Sequence, residues 1–233
     1  MIDTSFDFRS DAGGRDPDSH SPTLRRYHQR LWSKPLPGGA MFALTVERAD
    51  SYLYHRSELG EFFLASDTVV TTLTGWTALQ PVVRHVPAEE TEAFLAVVYV
   101  IGGMMVFPGN RIDGKQTING ERGFHRRIAD RMDLTLECIR RHYRREDSPL
   151  SAVLDRHADS FALFGDFGGY VDFFLLQDLV TGDFDGVRSF TRFADLTTPA
   201  LPQDLPTYLE YRRLSIEFVR SRNRRIAAWD VQA

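Results

Sequence analysis

Lysine is nearly missing from this chain. Of 28 basic residues only Lys34 and Lys115 are lysines, and the rest are arginines. A GC-rich genome produces such a bias, yet each surviving lysine marks a place suited to a compact, mobile ammonium. Cysteine is scarcer still. The single Cys138 excludes an internal disulfide and a Cys-rich zinc site. It falls mid-helix on a mostly buried flank and reads as inert core rather than nucleophile. No apolar run approaches the roughly 18 residues of a membrane-spanning helix. The longest, residues 93–106, is interrupted by Gly102 and Gly103 and reads as core. The opening Met1-Ile2-Asp3-Thr4 lacks a basic segment followed by an apolar one, so no secretory signal is expected and the cytoplasm is the default. Absent too are a Walker loop, GxGxxG, GxSxG and HExxH, so no motif dictates a reaction.

What is present describes an ordinary globular chain. Of 233 residues 42% are hydrophobic and 26% charged, enough apolar surface for a sizeable core. The net charge of −4 gives no bulk attraction to nucleic acid or to an anionic membrane. Charge is unevenly placed: residues 148–207 hold nine Asp against three Arg, while 208–229 hold six Arg against two Glu. The two stretches should attract each other.

The pattern of elements reads as α+β, with a small N-terminal antiparallel sheet packed on a mostly helical C-terminal half. A single domain over 1–233 is expected, with 1–86 mainly strands and loops plus one helix and 87–233 mainly helical. Ile2, Phe6 and Phe8 alternate as in a short strand. Ser21-Pro22 is an N-cap followed by proline at the first helical position, and Leu24, Tyr27, Leu31 and Trp32 carry the helical period until Pro35 stops it. Strand-like runs follow at Met41–Glu47, Ser51–His55 and Glu61–Ala65, with turn material at Arg48-Ala49-Asp50 and Glu58-Leu59-Gly60. Thr68–Thr74 reads as strand or loop. Pro87 with Glu89, Glu90 and Glu92 opens a helix that runs to about Ile101, and a strand follows at Met104–Phe107. Helices are then expected over Glu121–Arg145 in one or two pieces, Pro149–Phe164, Gly168–Val180 and Pro206–Trp229, with a hairpin at Val187–Phe193.

Helical phasing suggests where polar groups turn inward. Over Gly168–Val180, Asp172 falls amid Leu175, Leu176, Leu179 and Val180, and a buried carboxylate must be neutral or paired. On the helix before Arg145, Arg131 and His142 lie on an inner flank, with Asp133 and Glu137 on the solvent side. On the last helix Arg222 points in. Arg131, His142, Asp172 and Arg222 are therefore expected to form a buried polar cluster, a structural ion-pair network or a ligand site.

Loops supply the candidate functional residues. Trp32-Ser33-Lys34-Pro35 sets an aromatic, a hydroxyl and a lone lysine at a helix end, which suits an anionic ligand. Asn119-Gly120-Glu121-Arg122 places turn amides and a cation near a helix start. His28 and His55 are the candidate catalytic acid or base, and Ser66-Asp67 is expected on the same cleft. The leading expectation is a phosphate-bearing ligand, a nucleotide or short RNA, with Lys34 and Arg122 on phosphate and Trp32 stacking on a base. Action on it, as by toxin- or phage-defence-type enzymes, is the further expectation. One alternative is a non-catalytic interaction protein with a helical scaffold, using Phe161, Phe164 and Phe167 as a partner surface. Another is a metal-dependent hydrolase using Asp16, Asp18 and His20. No resident metal or cofactor is assigned.

Four phrases occur together: Asp16-Pro17-Asp18-Ser19, Leu31-Trp32-Ser33-Lys34-Pro35-Leu36-Pro37, Asp133-Leu134-Thr135-Leu136-Glu137-Cys138-Ile139-Arg140-Arg141 and Tyr170-Val171-Asp172-Phe173-Phe174-Leu175-Leu176-Gln177-Asp178-Leu179. In these the chain resembles an uncharacterised family of bacterial hypothetical proteins over nearly its whole length. The resemblance implies a bacterial, cytoplasmic, single-domain protein and assigns no catalytic residue.

Overall fold

A computed structural model describes residues 1–45, 52–192 and 195–232. The architecture is α+β, with two small antiparallel sheets in the first half of the chain and helices dominating the second. Phe8 is wholly buried, but in a single turn of 3-10 helix over Phe8–Ser10 rather than in the expected strand, because Asp7 caps that turn by accepting from the Arg9 N–H.

Helix α1 (Pro17–His20) is one turn, capped by Asp16, whose carboxylate accepts from Asp18 N. Ser21 then caps α2 (Pro22–Trp32), its hydroxyl accepting from the Leu24 N–H at 3.1 Å, so the N-cap and the N1 proline stand where the sequence places them. Strands β1 (Lys34–Pro35) and β2 (Met41–Phe42) form a two-residue ladder. The expected Met41–Glu47 strand is thus only its first two residues plus a bridge from Thr45 to Tyr54. Its end, the Arg48-Ala49-Asp50 turn, and Ser51 lie outside the described residues.

The larger sheet is β3 (Leu53–Ser57), β4 (Gly60–Thr68) and β5 (Met104–Pro108), in that order. Their register decides where the site forms. β3 pairs with β4 from Ser57↔Gly60 to Leu53↔Leu64, whereas β5 pairs with it from Leu64↔Pro108 to Thr68↔Met104. Beyond Leu64, β4 is therefore paired to β5 on one edge, β3 no longer pairs with its other edge among the described residues, and α1 packs against β4.

After the loop that follows Thr68 come α3 (Gln80–Val83) and α4 (Ala88–Val98), which stops before a 3-10 turn at Ile101–Gly103. Gly102 is obligatory there: its N–H donates to Asn223 Oδ1 at 2.8 Å, and a Cβ would sit 2.4 Å from that oxygen. The expected Glu121–Arg145 helix is two, α5 (Ile118–Phe124) and α6 (Met132–Arg144). Between them Ala129 and Asp130 are both left-handed, at φ 49° and 59°, a conformation that costs a non-glycine residue about 1 kcal/mol or more. α7 (Ser151–Arg156) and α8 (Ala158–Ala162) break at His157.

α9 (Phe167–Phe173) is much shorter than the phasing over Gly168–Val180 assumes. Leu175 turns left-handed at φ 55°, so the chain leaves the helix before the leucines that define the apolar stripe. Asp172 is consequently exposed, not buried, and its carboxylate accepts among the described residues only from Gln177 Nε2, at 2.9 Å. Leu205–Gln232 forms the long closing helix α10, which packs along α4 and the Ile101–Gly103 turn. The charge attraction read from composition is present in it: Arg225 pairs with Asp178 at 3.1 Å. The hairpin expected at Val187–Phe193 is only a bridge from Val180 to Val187, and its last residue lies outside the described set.

Candidate functional site

Polar side chains from four elements gather about β4 beyond Leu64, Ser66 meeting His28 and Asp18 and its neighbour Asp67 meeting Arg122. At the back, Trp32 is fully buried at the end of α2 and donates its indole N–H to His28 Nδ1 at 3.0 Å. That hydrogen bond fixes the tautomer, because an accepting Nδ1 leaves the proton on Nε2. Nε2 then donates to Ser66 Oγ at 3.0 Å, and Ser66 in turn donates to Asp18 Oδ1 at 3.0 Å. The chain Trp32, His28, Ser66, Asp18 runs one way, from core to carboxyl. It holds His28 neutral, since protonating Nδ1 would eject the indole. Burial and the nearby Arg222 also drive the imidazole down to about 3.

Asp18 experiences the opposite pressure. Burial, reinforced by the charges of Asp67, Asp16 and Asp130, raises it to about 8 against the one favourable hydroxyl from Ser66. That shift favours the protonated carboxyl at neutral pH. Because Oδ1 accepts from Ser66, the proton belongs on Oδ2.

The front of the site is built on Arg122, which lies on α5 with no exposed surface. Its Nη1 donates to Asp67 Oδ2 at 2.6 Å and to Thr68 O at 3.2 Å, its Nε to Thr135 Oγ1 at 3.1 Å, and its Nη2 to Asp130 O at 2.9 Å. The Asp130 carboxylate is 2.8 Å from the same Nη1. One guanidinium thus serves two carboxylates and can offset only one. Burial raises both against the pull of Arg122, and the charge of Asp130 raises Asp67 further. With Asp18 neutral, the group carries one surplus negative charge.

Three buried polar atoms of this site make no hydrogen bond among the described residues, and one of them is Asp130 Oδ1, which meets Arg122 as an ion pair. Asn119 donates its Nδ2 to Ser66 O at 3.1 Å, but its Oδ1 is unpaired; Tyr52 Oη, within electrostatic reach of Asp18, Asp11 and Asp16, is unpaired as well. Orphaned buried polar atoms call for an explanation. Beside them Arg25 lies over the Tyr52 ring at 4.7 Å and has no carboxylate within ion-pair distance among the described residues.

The structure brings together His28, Asn119 and Arg122 of the expected residues, with Ser66-Asp67 on the same edge. It separates the others. Trp32 is sealed in the core against Phe174, so its ring faces are not available to a base. His55 is buried, with Nδ1 at 2.8 Å from Ala43 O and Nε2 at 2.8 Å from Ser57 Oγ, an anchor of β3 away from the carboxylates. Lys34 donates to Phe173 O at 2.5 Å. His20 is exposed beside Asp16 O, and among the described residues no three His, Cys, Asp or Glu side chains are arranged to hold a metal ion.

The inward polar set does not converge. Arg131 pairs with Asp133, which is 1% exposed rather than on the solvent face, and reaches Ala200 O and Thr191. His142 lies 3.2 Å from Asp155 in a separate open groove. Arg222 is fully buried and donates to the carbonyls of Gly102, Met104 and Phe174. With Asp172 exposed, these are four separate structural contacts. Phe161, Phe164 and Phe167 are all buried and offer no partner surface. Asp130 was invisible to sequence reading, since nothing in the strand or helix period marks a carboxylate that reaches the site through a left-handed turn. Asp18 was visible only as a candidate metal ligand.

No helix among the described residues is long and apolar enough to cross a membrane. No curated protein and no solved structure matches the chain. A family model does, over residues 2–226, and the chain belongs to that family of unknown function, DUF6994.

Proposed function

We propose that this protein is an enzyme of the carboxylate acid–base type, with Asp18 as the acid and the Asp67–Asp130 pair on Arg122 as the base or charge-stabilising partner. The observation that carries the reading is a half-buried carboxyl, Asp18, at the end of an oriented hydrogen-bond chain, close to two carboxylates that share a cation. Environments that push neighbouring carboxyl groups apart in acidity separate a proton donor from an acceptor, as cleavage of a glycosidic bond requires. Ligand hydroxyls match the donor and acceptor set: Asp18 Oδ2 as donor, Asp67, Asp130 and Asn119 Oδ1 as acceptors.

A nucleotide or another glycoside suits this arrangement, with its sugar at the carboxylates. The phosphate contacts first expected of Lys34 and Arg122 pass to Arg25, because Arg122 is saturated by protein groups and Lys34 is engaged elsewhere. Direct docking of a phosphate among Asp16, Asp18, Asp67 and Asp130 is disfavoured by charge.

Turnover of a panel of nitrophenyl glycosides, nucleosides and nucleotides tests the reading, with wild type beside Asp18→Asn. An amide replaces a neutral carboxyl without adding charge, so the variant folds but cannot give a proton. The expected result is one substrate class cleaved by wild type and at least about 100-fold more slowly by the variant. Turnover indifferent to Asp18→Asn, or no cleavage in any class, contradicts it.

A further inference from the structure

Between two inward arginines of this half of the chain lies a segment turned outward. Phe124 closes α5 and is 83% exposed. It is the only exposed Phe, Tyr or Trp among the described residues, and it meets no other ring there. Arg126 and Arg127 follow, both exposed and both without a carboxylate within ion-pair distance among the described residues. The arginines on either side behave oppositely: Arg122 and Arg131 are buried and committed to Asp67, Asp130 and Asp133. Glu121, the acidic residue of α5, faces Arg156 at 3.8 Å.

The turn that presents the three outward residues is fixed. Ile128 and Ala129 are sealed in the core and donate to His125 O at 2.9 and 2.8 Å, and Asp130 N donates to Arg122 O at 3.0 Å. That last bond closes the segment into a loop whose base is the Arg122–Asp130 pair of the candidate site. A flat apolar face beside unpaired guanidiniums offers the two contacts by which proteins hold a nucleic-acid strand, stacking on a base and pairing with phosphate. We propose that Phe124, Arg126 and Arg127 form a docking platform for a single-stranded nucleic acid. Trp32 is too buried to stack on a base, and Phe124 supplies that face instead. Only an unpaired base leaves its ring open to Phe124, so a single strand is preferred to a duplex. With a net charge of −4 the attraction is local, and salt should weaken it strongly. That the bound strand brings a sugar to the carboxylates at the base of the loop rests on the function proposed above; the docking itself does not.

Fluorescence anisotropy tests the platform with a fluorescein-labelled strand of about 12 nucleotides, as RNA and as DNA, each alone and annealed to its complement, in about 50 mM salt. Wild type is compared with Phe124→Ala, with Arg126→Ala/Arg127→Ala and with Arg220→Ala, a charge removed from the exposed surface of α10. The single strand is expected to bind more tightly than the duplex, and each test variant to weaken it about tenfold. Arg220→Ala should stay within about twofold of wild type. All the replaced side chains are exposed, so melting temperatures should match. The tighter of RNA and DNA identifies the sugar. No binding of either strand, or binding that the test variants leave unchanged, overturns the proposal. So does binding of phosphatidylserine vesicles through the same residues without binding of strands. Strand binding without cleavage of any glycoside would keep the platform and sink the acid–base reading, and cleavage of a free nucleoside without strand binding would do the reverse.

Discussion

The Ser66 hydroxyl donates to the Asp18 carboxyl from 48 residues away, at 3.0 Å, while receiving the His28 Nε2–H on its other side. The strand, the one-turn helix α1 and helix α2 are tied by this serine, and the direction of the chain decides which oxygen of Asp18 is free to carry a proton.

Because of Asp18, stability should fall as pH rises from the ordinary carboxylate range to about 8 and level off above it. Its folded pKa of about 8 lies above the unfolded carboxylate value, so the folded state holds a proton that the unfolded state has lost. That contribution is fully present below the unfolded pKa and is lost as pH rises through 8. Asp18→Asn should flatten the decline and gain about 1–2 kcal/mol over wild type at pH 9, read by urea denaturation. A steeper decline in the variant would contradict the assignment.

Ser66→Ala removes the relay at its centre. The His28 Nε2–H is left without an acceptor in a fully buried place, and the expected cost is about 1–3 kcal/mol. Thermal unfolding of this variant beside Asp18→Asn separates the two links. The serine variant should be the less stable at neutral pH, and the reverse order would place the structural role on the carboxyl.

Arg122→Met strands Asp67 and Asp130 together. The expected loss at pH 7 is about 3 kcal/mol or more. At pH 5 the loss should shrink, because the two orphaned carboxyls have raised pKa values, so the folded variant takes up protons that relieve their repulsion. Chemical denaturation at the two pH values measures it, and a pH-independent loss would show packing rather than charge to be the cause.

Asp172→Ala should cost less than about 0.5 kcal/mol, since the residue is exposed and its carboxylate accepts among the described residues only from Gln177. A loss of several kcal/mol would restore the buried placement that helical phasing implies.

The elements whose signals are local were readable from sequence. Ser21-Pro22 opens α2, Pro35 closes it, and the run from Met132 carries its period through Ile139. What failed depends on breaks of a single residue. Leu175 at φ 55° ends α9 early and turns Asp172 out, although the leucines beyond it keep an apparent helical stripe in the sequence. Asp133 looked solvent-facing because its phase was set by the core residues alone, whereas Arg131 draws it inward from the N-cap position. Part of the site was legible as separate loops: Asn119, Arg122, His28 and Ser66-Asp67. Their union was not, because it depends on β3 releasing the edge of β4 after Leu64, a matter of register. Trp32 and Lys34 were noticed for good chemical reasons, but an aromatic at a helix end is as readily core as ligand platform, and here Trp32 is core.

The protonation of Asp18 is the claim on which the rest depends. Selective 13C labelling of aspartate side chains, with the Asp18 signal assigned by its loss in Asp18→Asn, allows its carboxyl shift to be followed from pH 3 to pH 10. The expected midpoint is near 8, with the protonated form dominant at pH 7. A midpoint in the ordinary carboxylate range, near 4, would make Asp18 an anion at neutral pH and remove the proton donor from the proposed chemistry.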